Sequence, residues 1–84
     1  MINDLTVNII GWIGSFEVVL AYALISYNKV DAKSILYQLL NLTGSIFLIV
    51  NTIYYHAIPS AFVNVIWSII AIFAIFQIIK HYRK

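Results

Sequence analysis

The chain has 84 residues, of which 63% are hydrophobic and 10% are charged, and its net charge is +2. Soluble proteins are roughly 45–50% apolar and 25% charged, and a soluble domain this small buries only about 60% of its unfolded surface. The composition therefore excludes a water-soluble domain and predicts a single membrane domain over residues 1–84. The chain has no cysteine, which excludes disulfides, thiolate metal sites and cysteine nucleophiles.

Three apolar stretches are long enough to be membrane spans, because a helix needs about 20 mainly apolar residues to cross the hydrocarbon core. They cover residues 5–27, 35–55 and 60–79. Pro59 precedes the third stretch and suits the first turn of a helix, where its missing N–H costs no hydrogen bond. We predict an all-α fold, an integral membrane bundle of three helices.

The basic residues predict the orientation of these spans. Lys29 and Lys33 lie in the first loop, Lys80, Arg83 and Lys84 lie in the tail, and the N-terminus and second loop have none. Short loops rich in Lys and Arg stay in the cytoplasm, so we predict an N-out, C-in topology. The basic tail directly follows a span, so we interpret it as a topological anchor and expect no nucleic-acid partner.

Small and polar residues form a stripe at helical spacing on each predicted span. The stripe of the first helix is Gly11, Gly14, Ser15, Glu17, Ala21 and Tyr22; that of the second is Gln38, Asn41, Gly44, Ser45, Leu48, Asn51, Thr52 and Tyr55; that of the third is Ser60, Asn64, Trp67, Ser68, Ala71 and Ala74. One interpretation is close helix packing, to which we assign Gly11, Gly14, Gly44 and Ser45. The other is a polar cavity for a hydrophilic solute, lined by Asn41, Asn51, Asn64 and Trp67.

Glu17 lies near the middle of the first predicted span. A charged carboxylate at that depth costs at least about 2.5–3.5 kcal/mol, so Glu17 must face the bundle interior or a water-filled cavity. We hypothesise that Glu17 is a proton-coupling site. The alternative is a protonated carboxyl that forms a hydrogen bond with a Ser or Asn side chain. Glu17 and the absence of Lys or Arg before it also argue against a cleaved signal peptide.

The sequence contains no motif typical of an enzyme. No HExxH, GxSxG, P-loop or GxGxxG pattern is present, and the few acidic and histidine side chains do not converge with Glu17. We expect no enzymatic activity, no metal and no cofactor.

Several of these residues occur at places typical of one membrane-protein superfamily. They are Gly11, Trp12 and Gly14 in the first helix, Lys33 and Ser34 at the end of the basic linker, Gly44 in the second helix, Pro59 before the third, and Asn64 within it. In this pattern the chain resembles the PQ-loop superfamily and its SemiSWEET transporters. The resemblance implies a triple-helix bundle that pairs into a six-helix dimer, with Asn64 lining the solute pocket.

The chain departs from that pattern at two places. The Pro-Gln pair would fall at Leu24-Ile25, and the pocket tryptophan of the second helix would fall at Leu48. The chain therefore looks closer to uncharacterised bacterial permease-like members, which are similar to the N-terminal membrane domain of some lipid A biosynthesis proteins. This resemblance implies the bacterial inner membrane.

A three-helix bundle is too narrow to enclose a solute pathway, whereas a two-fold pair places a site at the interface of six helices. We therefore expect a half-transporter that forms a homodimer in the lipid bilayer and moves a small polar solute. The alternative is a small structural or accessory membrane subunit whose polar stripes only hold helices together.

Overall fold

The computed structural model describes residues 3–82 and is all-helical over this range. The helices are α1 (Asp4–Ser26), α2 (Ile35–Tyr54) and α3 (Ile58–Tyr82). Each is long and apolar enough to cross a membrane, which confirms the prediction of three such helices. Helix α3 begins two residues before its predicted span. Because it continues to Tyr82, its last turn includes Lys80 and His81.

Helices α1 and α2 end in the same way. The residue after each C-cap has a left-handed backbone, with φ of 59° at Asn28 and 60° at His56. The following amides close the turn, since the Lys29 N–H donates to Leu24 O at 2.8 Å and the Ala57 N–H donates to Thr52 O at 2.7 Å. This is the Schellman arrangement that ends a helix. The sequence alone suggests that His56 is a solvated loop residue. In the structure it is also the left-handed residue with which α2 ends.

Helix α2 lies between the other two. It packs against α1 along one face and against α3 along another, and no Cα atom of α1 lies within 8 Å of a Cα atom of α3 in the described chain. The start of α1, the end of α2 and the start of α3 form one end of the bundle, here named the Asp4 end. The first loop and the end of α3 form the opposite Lys33 end.

The packing is inverted relative to that of a soluble protein. Among the described residues, the buried apolar side chains are mostly small: Val7, Ala21, Ala61, Ala71 and Ile78. The side chains of Phe16, Phe62, Phe73 and Phe76, by contrast, are between 64% and 67% exposed. Since lipid tails are as apolar as these rings, helix association in a bilayer depends on close backbone approach rather than on apolar burial.

Gly14 and Gly44, near the middle of α1 and α2, bring the two backbones close together. A Cβ atom on Gly14 would lie 2.8 Å from Gly44 O, and one on Gly44 would lie 3.0 Å from Gly14 O. Only glycine fits at both positions without separating the backbones. Of the four residues assigned to helix packing on these helices, Gly14 and Gly44 thus lie directly opposite each other.

Candidate functional site

A groove of about 190 Å³ follows the contact between α1 and α2 in the half of the bundle nearer the Asp4 end. We name it the α1–α2 groove; it is lined by Asn8, Gly11, Trp12, Ser15, Leu48 and Asn51. Ser15 lies about 16 Å along the helix axis from Asp4, which is about half the length of α1. Polar side chains therefore border open space well inside the predicted hydrocarbon region.

Asn51 forms the floor of this groove and joins the two helices. Its amide nitrogen donates to the backbone carbonyl of Val7 at 3.0 Å. The side chain reaches α1 because Gly11 has none, since a Cβ at Gly11 would lie only 2.8 Å from Asn51 Cγ. Gly11 thus makes room for an interhelical hydrogen bond, in contrast to the backbone contact at Gly14.

The Asp4 end of this helix pair is closed by two tyrosines. The Tyr54 hydroxyl donates to Asp4 Oδ1 at 2.6 Å, and the Tyr55 hydroxyl donates to Asn8 Oδ1 at 2.5 Å. The two rings meet edge to face, with centroids 5.0 Å apart. Because Asn8 also lines the groove, Tyr55 fixes one of its polar walls.

Helix geometry shows where the groove opens. At about 100° per residue, Leu48 lies on α2 between Asn41, which contacts α3, and Gly44, which contacts α1. The groove therefore opens on the side of the α1–α2 pair that turns toward α3. No residue of α3 lines the groove, and no Cα atom of α3 lies within 8 Å of one of α1 over the described residues, so α3 does not close this side.

The contact between α2 and α3 contains a second polar group. Asn41 is only 5% exposed, and its Oδ1 accepts a hydrogen bond from the Trp67 indole at 3.4 Å. Asn64 turns to its own helix instead, where its amide donates to Ser60 O at 3.0 Å. The structure thus brings Asn41 and Trp67 together, places Asn51 at the other interface, and joins Asn64 to neither.

Glu17 lies on the opposite edge of the α1–α2 contact from the groove. Its Oε2 is 2.7 Å from Thr43 Oγ1, and that hydroxyl is also 2.8 Å from Leu39 O. A threonine has one hydroxyl hydrogen to donate. The Thr43 hydroxyl therefore donates either to Glu17 Oε2 or to Leu39 O, and the two acceptors share one hydrogen.

Three buried side-chain oxygens in the described residues have no hydrogen-bond partner: Glu17 Oε1, Ser45 Oγ and Ser68 Oγ. Ser45 is 1% exposed and Ser68 is 7% exposed. A buried hydroxyl without a partner costs about 1–3 kcal/mol. Packing alone does not account for the two serine hydroxyls, because alanine would fill nearly the same volume at positions 45 and 68 without that cost.

Sequence reasoning assigns Asn51 to the solute site but does not assign Asn8, Trp12 and Ser15, which line the groove with it. From the sequence alone, Trp12 looks like an interfacial belt residue. The signal that was available is their spacing of four and then three residues, which places them on one helix face. The predicted site set therefore divides between two helix contacts.

The comparisons with known proteins give a family and no activity. The model of one protein family, which is uncharacterised, matches residues 7–83. Because the match covers nearly the whole chain, the chain belongs to that family. No curated protein and no solved structure matches the chain.

Proposed function

We propose that this protein is one half of a homodimeric permease for a small, neutral, polar solute. The observation that carries the proposal is the α1–α2 groove, whose polar walls open sideways at membrane depth in a single chain. Polar surface that faces lipid is costly, so such surface in membrane proteins faces a bundle interior or a water-filled cavity. A second copy would supply the missing wall.

The charge distribution supports an N-out, C-in orientation, and the resemblance to bacterial permease-like proteins is the ground for proposing the bacterial inner membrane. Lys29, Lys33 and Lys80 lie at the Lys33 end, and no Lys or Arg of the described residues lies at the Asp4 end. The positive-inside rule places the Lys33 end in the cytoplasm. The groove then lies in the outer half of the bilayer.

The groove walls indicate the class of solute. They offer amides from Asn8 and Asn51, the Ser15 hydroxyl and the exposed Trp12 ring, and no titratable side chain. Such walls can donate and accept hydrogen bonds but cannot neutralise a charge. We therefore assign a neutral hydrogen-bonding solute, with Asn41, Asn64 and Trp67 taking part when α3 or a second copy closes over it.

Glu17 is proposed as the proton-coupling group. It does not line the groove, so coupling would act through helix packing: the Glu17 Cβ lies 3.2 Å from the position of a Cβ on Gly44, at the contact of α1 and α2. In the proposed coupling, a protonated Glu17 would donate to Thr43 while the Thr43 hydroxyl donates to Leu39 O. Loss of the proton would leave one hydroxyl hydrogen for both acceptors, so one of the two hydrogen bonds that hold Thr43 on α2 would be lost.

The second candidate function, an accessory subunit, is favoured by the two interhelical hydrogen bonds of Asn51 and Trp67. In that case a larger membrane protein covers the groove and no water enters it. The three unpartnered oxygens favour the permease instead, because a packing interface tends to satisfy its polar atoms.

Thiol labelling separates the two functions, since the chain has no cysteine of its own. Ser15→Cys places a thiol in the groove, and Phe16→Cys places a matched one on the neighbouring exposed face, where Phe16 is 67% exposed. A permease predicts that a small charged thiol reagent labels Ser15→Cys and spares Phe16→Cys in native membranes. Protection of both positions would refute the permease.

The orientation is tested with the same reagents in intact cells. Cysteines at Ala32, in the first loop, and at Ala57, in the second, should react from opposite sides of the membrane. Labelling of Ala32→Cys by an impermeant reagent added outside would contradict the N-out, C-in topology.

A further inference from the structure

A second, larger groove lies at the Lys33 end, between the first loop and the last two turns of α3. Its volume is about 670 Å³, and it is lined by Asp31, Ala32, Lys33, Ser34, Gln38, Ala74, Gln77, Ile78 and His81. We name it the Lys33 groove. None of its residues belongs to the α1–α2 groove.

The walls of the Lys33 groove change from apolar to polar along the helix axis. Ala74 and Ile78 form its deeper part, while Lys33 and His81 lie at its rim. His81 follows Ala74 by seven positions in α3, and this spacing corresponds to about 10 Å along the helix axis. The apolar run of α3 ends at Ile79, just before Lys80, so the groove crosses the level at which hydrocarbon is expected to give way to headgroups.

The charge around this groove is positive. Among the described residues, the Lys33 end has Lys29, Lys33 and Lys80 against one acidic residue, Asp31, which gives a net charge of +2 with His81 neutral. The groove also contains the start of α2, and the dipole of a 20-residue helix favours an anion at that position. Both features complement a negatively charged group.

The loop that forms the rim is held in place by a buried side chain. Gln38 is 8% exposed, and its amide nitrogen donates to Ala32 O at 2.8 Å. Asp31 Oδ1 accepts from the Lys33 N–H at 2.9 Å, so the loop backbone is fixed on both sides of Ala32. Gln38 is therefore a positioning residue, because its hydrogen bond helps to fix the loop backbone that carries the Lys33 side chain.

From these observations we propose that the Lys33 groove binds an anionic phospholipid. Its phosphate would lie between Lys33 and the Gln77 amide, and the start of an acyl chain would lie against Ala74 and Ile78. An apolar wall, a cationic rim and a position at the membrane surface fit a lipid better than a free anion. This proposal does not depend on transport.

The test is native mass spectrometry of the full chain in detergent, with titration of phosphatidylglycerol and of phosphatidylcholine that has the same acyl chains. A basic residue near an anionic headgroup contributes about 1 kcal/mol, so Lys33→Gln should weaken phosphatidylglycerol binding about fivefold. Lys29→Gln is the matched control, because it removes an equal charge from an exposed residue outside the groove. Asp31→Asn keeps the oxygen that accepts from Lys33 and removes the negative charge, so it should strengthen binding.

Each outcome decides for or against the site. A clear preference for phosphatidylglycerol that Lys33→Gln removes and Lys29→Gln leaves would support it. Equal effects of the two lysine variants would mean diffuse attraction and overturn a specific site. Equal binding of the two lipids, or displacement of phosphatidylglycerol by inorganic phosphate in excess, would also overturn it. The helix content of each variant, measured by circular dichroism, shows that a loss of binding is not a loss of folding.

Discussion

Gly11→Ala offers the sharpest test of the α1–α2 contact, because the added methyl group meets a side chain that is able to move. The new Cβ would lie 2.8 Å from Asn51 Cγ. To avoid it, the Asn51 amide must turn away and give up its 3.0 Å hydrogen bond to Val7 O. At Gly14 the obstruction is Gly44 O at 2.8 Å, which is backbone and has no such freedom.

The magnitudes follow from these two contacts. An interhelical hydrogen bond in a membrane contributes about 0.6–2 kcal/mol, and an extra methyl group in a packed contact costs about 1–3 kcal/mol. Alanine recovers up to about 1 kcal/mol of helix propensity, so Gly11→Ala should lower the free energy of unfolding by about 1–3 kcal/mol. When Asn51 is already replaced by alanine, the Cγ and amide are gone and Gly11→Ala should cost almost nothing.

The measurement is a double-mutant cycle on the free energy of unfolding, obtained by titrating a denaturing detergent into mixed micelles. We expect a coupling of about 1–3 kcal/mol between Gly11→Ala and Asn51→Ala. Gly14→Ala is the control, and its cost should be the same with and without the Asn51→Ala substitution. A Gly11→Ala cost that does not depend on the side chain at position 51 would refute the placement of Asn51 over Gly11.

Two further predictions use other parts of the chain. His56→Gly should stabilise the fold by about 0.5 kcal/mol, because glycine adopts φ of 60° without strain; Ala57→Gly, at a position without positive φ, should destabilise it in the same detergent titration. Glu17→Gln should leave the fold intact, since the amide oxygen can accept from the Thr43 hydroxyl as Glu17 Oε2 does, and the amide nitrogen can donate to it. In reconstituted vesicles it should also abolish the pH dependence of solute movement, and an unchanged pH profile would remove the proton-coupling role.

Much of the fold could be predicted from apolar run lengths and helical spacing. The predicted spans of α1 and α2 differ from the helices by one residue or less at each end. On α2, the buried residues Gln38, Asn41, Gly44 and Ser45 all belong to the predicted polar stripe. These features were predictable because, in a bilayer, large apolar residues face lipid and small or polar residues face other helices.

The end of α3 and the pairing of the helices were not predictable in the same way. An apolar run shows where hydrocarbon ends, whereas a helix can continue into the headgroup region with residues such as Lys80 and His81. A stripe shows which face of a helix is covered but not by which neighbour. The stripes of α1 and α3 gave no sign that these helices, over the described residues, would both pack against α2 without a Cα approach of 8 Å or less to each other.

The unpartnered hydroxyl of Ser45 gives a test that separates stability from function. Ser45 is 1% exposed and its Oγ has no hydrogen-bond partner, so Ser45→Ala removes a buried polar atom and leaves a methyl group in nearly the same volume. The free energy of unfolding should rise by about 1 kcal/mol. If that hydroxyl forms a hydrogen bond with water or solute in another conformation, the same variant should slow solute movement or reduce labelling of Ser15→Cys.

Ser60→Ala, at an exposed position on α3, is the control and should change the free energy of unfolding by less than about 0.5 kcal/mol. A Ser45→Ala variant that is less stable than the wild type would show that this hydroxyl is paired in the bilayer. A more stable variant with unchanged labelling and solute movement would favour the accessory subunit.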